Sequence, residues 1–236
     1  MSDHLIIAPI VLPLLVAALQ LLVGEKRRRT VLALSVASCV VLVLLAAALM
    51  LAVSADGVLG AVYRIGDWPA RFGIVLVADR LSALMVLLTG VLALTLLPYA
   101  LGRWQHRGGH FQPLLQFLLM GLNGAFLTGD LFNLFVFFEV LLAASYGLAL
   151  HGSGARRVSA GLHYIAVNLT ASMLFLLGVS LIFGVTGTLN MAALAELIPT
   201  VPERTRALLH AALDGYADPM QLLQWLSKAP GPHDHG

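Results

Sequence analysis

The sequence predicts an all-α integral membrane protein with about six transmembrane helices. Its composition, its long apolar runs and the position of its basic residues lead to this fold class. Hydrophobic residues make up 59% of the 236 positions, charged residues only 11%, and the mean hydropathy is +0.91. Soluble domains carry roughly 25% charged residues because their surface faces water. A chain so poor in charge needs lipid or partner subunits around it.

Six apolar runs are each long enough to cross a bilayer as a helix. The hydrocarbon core is about 30 Å thick and takes roughly 20 helical residues to span. The strands of a membrane barrel would instead alternate over roughly 10 residues. The six runs cover residues 5–23, 31–53, 81–101, 111–128, 131–150 and 158–184.

The basic residues lie between the runs and predict the orientation of the chain. The first run is followed, not preceded, by the basic cluster at positions 26–29, which is the wrong order for a cleaved signal peptide. Loops 24–30, 102–110 and 151–157 alternate along the chain and carry basic residues, so the positive-inside rule places them in the cytoplasm and the N-terminus outside. No basic face with interleaved aromatic residues is present, which argues against binding of nucleic acid.

Two further features of the chain bear on its organisation. Residues 1–186 form the predicted transmembrane domain, and 187–236 form a proline-containing tail without a run of about 20 apolar residues. We expect this tail to be extramembrane or interfacial. Only Thr128, Gly129 and Asp130 connect the fourth and fifth runs, which predicts a tight external turn with Asp130 favoured at the start of a helix.

Glu139 is the main candidate for a functional residue. It lies near the middle of the fifth run, where an ionised side chain costs at least about 2.5–3.5 kcal/mol. Such a group favours its neutral form and is able to take up and release a proton. The alternative is a neutral carboxyl that is hydrogen-bonded to a neighbouring helix and serves packing alone. Ionisable residues inside a membrane are more often functional.

His163, on the sixth run, is the second candidate for a proton relay. Its depth differs from that of Glu139 by about 9 Å at 1.5 Å per residue, so a water or two would lie between them. An interfacial histidine that faces headgroups or solvent is an equally good interpretation. Other polar residues could hold such waters, although polar side chains in spans more often join helices. These possible supporting residues are Asp79, Asn123, Asp130, Asn133 and Asn168.

The sequence offers no site for a cofactor or a metal. Cys39 is the only cysteine, so neither an internal disulfide nor a CxxC site can form. The histidines lack ligand spacing, and no phosphate-binding loop or nucleophile motif is present. These features argue against an enzyme.

Three stretches of the sequence resemble one family. They are FGIVLVAD at 72–79, QFLLMGLNGAFLTGDLFNLFVFFEV at 116–140 and VTGTLNMA at 185–192. Together they are similar to the D-type subunit of the Mrp-type multisubunit monovalent cation/proton antiporters, which is related to the antiporter-like membrane subunits of respiratory complex I. The resemblance runs from about residue 5 to about residue 210.

The resemblance implies a function and several site residues. Glu139 matches a glutamate that the family uses in its proton path together with a lysine on a later helix. Position 163 falls where relatives often have a basic residue, and Asp79 matches an acidic residue that opens helix three. Family members continue into further helices, so the resemblance implies that this chain is the N-terminal portion of the D-type subunit, truncated or frameshifted.

The leading hypothesis is therefore a subunit of a monovalent cation/proton antiporter in the bacterial plasma (inner) membrane. Its expected partners are the other antiporter subunits, the lipid bilayer, protons and Na⁺ or K⁺. One alternative is a membrane proton-translocating subunit of an NADH-quinone oxidoreductase or a membrane-bound hydrogenase. Another is a structural membrane protein that transports nothing, in which Glu139 serves packing.

Overall fold

The structure is a computed structural model that describes residues 3–55, 61–64, 74–103, 110–151 and 155–201. Seven α-helices and two short strands lie within these ranges. In chain order they are α1 (Ala8–Val23), α2 (Arg28–Ala55), β1 (Ala61–Arg64), β2 (Val75–Ala78), α3 (Arg80–Arg103), α4 (Phe111–Leu127), α5 (Leu131–Leu150), α6 (Ala155–Thr186) and α7 (Met191–Leu197).

The six predicted long helices are confirmed as α1 to α6, with ends that differ by a few residues from the predicted ones. Four of them have stretches long and apolar enough to cross a membrane: Arg28–Ser54, Arg80–Tyr99, Leu131–Leu150 and Arg157–Thr186. The apolar helices α1 and α4 have only 16 and 17 residues. At 1.5 Å per residue α1 measures about 24 Å, so the number of six complete spans stays a prediction. The protein is a multi-pass helical membrane protein.

The connection between α2 and α3 contains a β-hairpin that the sequence did not predict. Strands β1 and β2 pair antiparallel, with Ala61 opposite Ala78 and Arg64 opposite Val75. Each strand has four residues, too few for a recognisable alternation in the sequence. The all-α class is therefore correct for the membrane part, and the hairpin is an addition at one end of the bundle.

The predicted tight turn between α4 and α5 is confirmed, and it joins three parts of the chain. The amide of Gly129 donates to the carbonyl of Val75 in β2 at 2.8 Å, and the amide of Met191 donates to the carbonyl of Gly129 at 2.9 Å. A Cβ at Gly129 would lie only 2.7 Å from Cγ2 of Val77. The turn therefore requires glycine because β2 passes so close. We call this end of the bundle, with β1, β2 and the turn, the hairpin end.

The opposite end of the bundle carries the connections rich in Lys and Arg, and we call it the basic end. Helix α4 packs against α1, α3 and α5 and lies at the centre of the bundle. One apolar cluster at the hairpin end includes Ile10, Leu49 and Leu76, and a second includes Leu42 and Leu119. Residues 187 to 201 of the predicted tail include α7, which begins at Met191, the residue whose amide bonds to Gly129 in the turn. The rest of the predicted tail lies outside the described residues.

Candidate functional site

Glu139 lies on α5 on the side that faces α6. The ring of Phe135 stacks on Phe175 of α6 with centroids 6.1 Å apart, and Tyr146 meets Tyr164 of α6 edge to face at 5.4 Å. Glu139 is four residues after Phe135 and seven before Tyr146, so the three side chains share one face of the helix. The carboxyl therefore belongs to the α5–α6 interface.

The carboxyl of Glu139 is half-buried, and one of its oxygens has no hydrogen-bond partner among the residues that the structure describes. That oxygen, Oε1, is almost completely shielded from solvent. An unpaired buried oxygen is costly, and the cost is larger for a charged carboxylate than for a neutral acid. The group therefore requires a proton, a water or a further polar neighbour.

The surroundings of Glu139 differ towards the two ends of the bundle. On the hairpin side the rings of Phe135, Phe138 and Phe175 form an apolar group. On the basic side Tyr146 lies beside Tyr164, whose hydroxyl shares a hydrogen bond of 3.2 Å with the hydroxyl of Ser145. Hydroxyl groups are therefore present in the α5–α6 interface on the basic side of Glu139.

The sequence did not reveal that Tyr146 and Tyr164 meet on the helix face that carries Glu139. The spacing of seven residues between Glu139 and Tyr146 was visible, and it places both side chains on one helix face. The missing information was that α6 packs on this face.

The structure does not bring His163 to Glu139. The ring contacts of Phe138 with Phe175 and of Tyr146 with Tyr164 set the register of α5 and α6, and they place Glu139 opposite the turn from 171 to 174. His163 is at least eight residues away, or about 12 Å along the helix. Its side chain is exposed, and its Nδ1 lies 2.9 Å from the carbonyl of Ser159 in the same helix. A relay between the two residues stays a prediction.

Asn168 has a local hydrogen bond on α6. Its Nδ2 donates to the carbonyl of Tyr164, one turn earlier, at 2.7 Å. The side chain is half-buried and lies one turn nearer the basic end than the level of Glu139. Its oxygen remains available to a water, so its supporting role stays a prediction.

Three of the predicted supporting residues lie together at the hairpin end, where they cap helices or fix the turn. Oδ1 of Asp79 accepts from the amide of Ser82 at 2.6 Å, and the hydroxyl of Ser82 accepts from the amide of Asp79, which caps α3 reciprocally. Oδ1 of Asp130 accepts from the amides of Phe132 and Asn133 at the start of α5. Asn133 donates to the hydroxyl of Thr128 at 3.0 Å.

Asn123 has a different structural role, between α4 and α1. Its Nδ2 donates to the carbonyl of Pro9 at 2.9 Å. In a regular helix that carbonyl would accept from the amide of residue 13, but Pro13 has no N–H. Asn123 therefore satisfies a carbonyl that the proline leaves free within the helix.

Within the described part of the chain, no group of three or more His, Cys, Asp or Glu side chains is close enough to hold a metal ion. A proton-relay role for Glu139 stays a prediction.

Comparisons with known proteins agree with this arrangement. The sequence model of the family described as "NADH:quinone oxidoreductase/Mrp antiporter, TM" matches residues 128–220. The chain is 59% identical over 210 residues to a probable K(+)/H(+) antiporter D-type subunit of Rhizobium meliloti, a match that covers 88% of this chain and 39% of the relative. It is 41% identical over 195 residues to a Na(+)/H(+) antiporter D-type subunit of Alkalihalophilus pseudofirmus, a match that covers 82% of this chain and 39% of the relative.

Solved structures give the same result. A chain of the Mrp complex from Dietzia sp. superposes with a TM-score of 0.80 at 35% identity, covering 97% of this chain and 44% of that chain. A chain of an archaeal membrane-bound sulfane sulfur reductase superposes with a TM-score of 0.78 at 28% identity, covering 89% and 42%.

The fold and these similarities thus define a helical membrane protein of the antiporter-like class. The chain belongs to the family of D-type antiporter subunits and their relatives in respiratory membrane complexes. It spans 39% of the length of the Rhizobium meliloti and Alkalihalophilus pseudofirmus relatives.

Proposed function

We propose that this chain is a D-type component of a multisubunit monovalent cation/proton antiporter, in which Glu139 exchanges protons within the membrane. The observation that carries the proposal is the buried, unpartnered Oε1 of Glu139 in the α5–α6 interface, as seen among the described residues. A carboxyl that served packing alone would be expected to satisfy both oxygens within the bundle. The names of the relatives support cation/proton exchange as the activity.

The test is cation-dependent proton movement in everted vesicles from an antiporter-deficient strain that carries the chain with the other antiporter subunits. We expect Glu139→Gln to insert at the normal level and to abolish the exchange, since an amide cannot take up a proton at neutral pH. Glu196→Gln is the matched control, because Glu196 is an exposed residue on α7 and should leave the exchange unchanged. Exchange at the control level in Glu139→Gln would show that the carboxyl serves packing.

The dependence on partners is tested in the same strain. We expect the chain alone to insert but not to restore tolerance to sodium or potassium, since its membrane helices supply one mid-span carboxyl and a proton path needs several coupled titratable groups. Tolerance restored by the chain without other subunits would contradict this expectation.

The second candidate function is that of a proton-translocating membrane subunit in a redox complex. The structural match to the sulfane sulfur reductase chain and the shared family description favour it. Purification of the chain with its natural partners separates the two. Small membrane subunits without cofactors support the antiporter, and flavin or iron–sulfur proteins support the redox complex. In either case this chain itself would contribute proton transfer and no covalent step.

The proposed setting is the bacterial plasma membrane with the N-terminus outside. The alternate basic loops support this orientation. A single cysteine introduced in the Cys39→Ala background at Arg28 should be labelled only from the cytoplasm, and one at Arg71 only from outside. Labelling of both positions from the same side would contradict this orientation of the helices in the membrane.

A further inference from the structure

Helices α1, α2 and α4 meet in a polar seam that is separate from Glu139. Nε2 of Gln20 donates to the hydroxyl of Ser35 at 2.8 Å and to the carbonyl of Val31 at 3.2 Å. The hydroxyl of Ser38 donates to Oε1 of Gln116 at 3.0 Å. Gln116 lies on the side of α4 that faces α1 and α2. Helix α5 packs on a different side of α4, against Gly121 and Gly124.

At the basic end of this seam three amide groups keep an unpaired polar atom, and Oδ1 of Asn123 is unpaired further along α4. The three atoms at the basic end are Oε1 of Gln20, Oε1 of Gln112 and Nε2 of Gln116, none of which has a hydrogen-bond partner among the described residues. The three side chains are exposed by only 1%, 6% and 0%. Each such buried, unpaired group is costly, so three in one seam favour the binding of a polar ligand.

The register of the helices places the three groups within about one helical turn. The contact between Asn123 and Pro9 sets the antiparallel alignment of α4 and α1. Gln112 lies eleven residues before Asn123, and Gln20 lies eleven residues after Pro9, so the two glutamines are at the same level. Gln116 is one turn further along α4.

We propose that the seam binds an ordered water at its basic end, held by Gln20, Gln112 and Gln116. The water accepts a hydrogen bond from Nε2 of Gln116 and donates one to each of the two free glutamine oxygens. A buried water typically makes about three hydrogen bonds, and the seam offers one donor and two acceptors.

A water fits this set of atoms better than a cation does. A bound Na⁺ or K⁺ would require oxygen ligands on every side, but Nε2 of Gln116 presents hydrogen atoms to the site. The sequences of α1, α2 and α4 contain no Asp or Glu. The seam can therefore hold a neutral ligand that both donates and accepts hydrogen bonds.

Cys39 provides a built-in probe of this site. It is the only cysteine of the chain, it is fully buried, and it directly follows Ser38, whose hydroxyl is hydrogen-bonded to Gln116. Its S–H stretch absorbs in an infrared window that is free of other protein bands. When the full chain in lipid nanodiscs is moved into D₂O, conversion of S–H to S–D reports whether water reaches this level of the seam.

We expect the Cys39 thiol to exchange more than about tenfold faster than a buried thiol in a dry site, because exchange from a dry site requires the packed helices to open. The control is the double variant Cys39→Ala/Leu49→Cys, since Leu49 is fully buried on α2 in the apolar cluster of the hairpin end, which does not include Cys39. Equal, slow exchange in the two proteins would overturn the proposal.

A second variant tests the ligands of the water. Gln112→Leu removes one acceptor, so a bound water predicts slower S–H exchange and a lower unfolding temperature than in the unsubstituted chain. A dry seam predicts the opposite thermal effect, because the substitution would then remove an unsatisfied buried oxygen. Unchanged S–H exchange together with a higher unfolding temperature in Gln112→Leu would overturn the proposal. S–H exchange that varies with added Na⁺ or K⁺ at constant ionic strength would overturn it in favour of a bound cation.

Discussion

The close approach of α4 and α5 makes a strong prediction about Gly121. A Cβ built on this glycine lies 2.9 Å from both the backbone nitrogen of Leu141 and the carbonyl oxygen of Phe137. Ordinary contacts of a Cβ begin near 3.4 Å. Both obstructing atoms are backbone, so no side-chain rotation relieves the overlap, and Gly121→Ala must push the two helices apart.

The size of the effect follows from a comparison with Gly184. A Cβ at Gly184, on α6, meets nothing within 4 Å. Replacement of glycine by alanine inside a helix gains up to about 1 kcal/mol of helix propensity at either position. Because this gain is common to both variants, their difference isolates the overlap, which costs about 1–3 kcal/mol in a well-packed interior.

The assay is thermal unfolding of the purified chain in one detergent–lipid mixture, followed by tryptophan fluorescence. We expect Gly184→Ala to unfold at or above the temperature of the unsubstituted chain and Gly121→Ala to unfold several degrees below Gly184→Ala. If Gly121→Ala is as stable as Gly184→Ala, the two helices are not in backbone contact at this point, and the packing described for α4 and α5 is wrong.

Two further predictions concern single contacts. Asn123→Leu leaves the carbonyl of Pro9 unsatisfied and should destabilise the bundle by about 1–3 kcal/mol, but less in the background of Pro13→Ala, whose new amide can donate to that carbonyl. A double-mutant cycle from unfolding temperatures measures this coupling, and additive effects would contradict it. Asp130→Ala removes the cap of α5 and should cost about 1 kcal/mol, whereas Asp130→Asn should keep most of the stability. An asparagine variant as unstable as the alanine variant would show that the charge matters and the cap does not.

Much of the helical architecture could be predicted from the sequence. The free energy of transferring an apolar run into lipid depends only on the residues of that run. The lengths of the apolar runs were therefore enough to locate α1 to α6. The three residues between α4 and α5 likewise predicted a turn, and the short polar side chain of Asp130 predicted its position at a helix start. These features depend on neighbours in the sequence, which is why they needed no tertiary information.

The candidate site could be predicted only in part. Glu139 was identified because a carboxyl within a membrane span is costly to bury on any face of the helix. Its neighbours were not, because α5 is apolar on nearly every side and offers no amphipathic pattern that reveals the face packed against α6. For the same reason His163 was paired with Glu139 by depth, although the structure places its side chain on an exposed face of α6.

The sequence by itself determined that this protein consists of membrane helices, roughly where they begin and end, and which residue is the most costly to bury. The tertiary structure decided which partners those residues meet: helix α6 on the face of Glu139, Pro9 at Asn123, and the three glutamines in the seam of α1, α2 and α4. The physical reason is that burial of an apolar run in lipid is a sum over its own residues, whereas a hydrogen bond between helices depends on their register and rotation. Those two quantities are fixed only when the helices pack together.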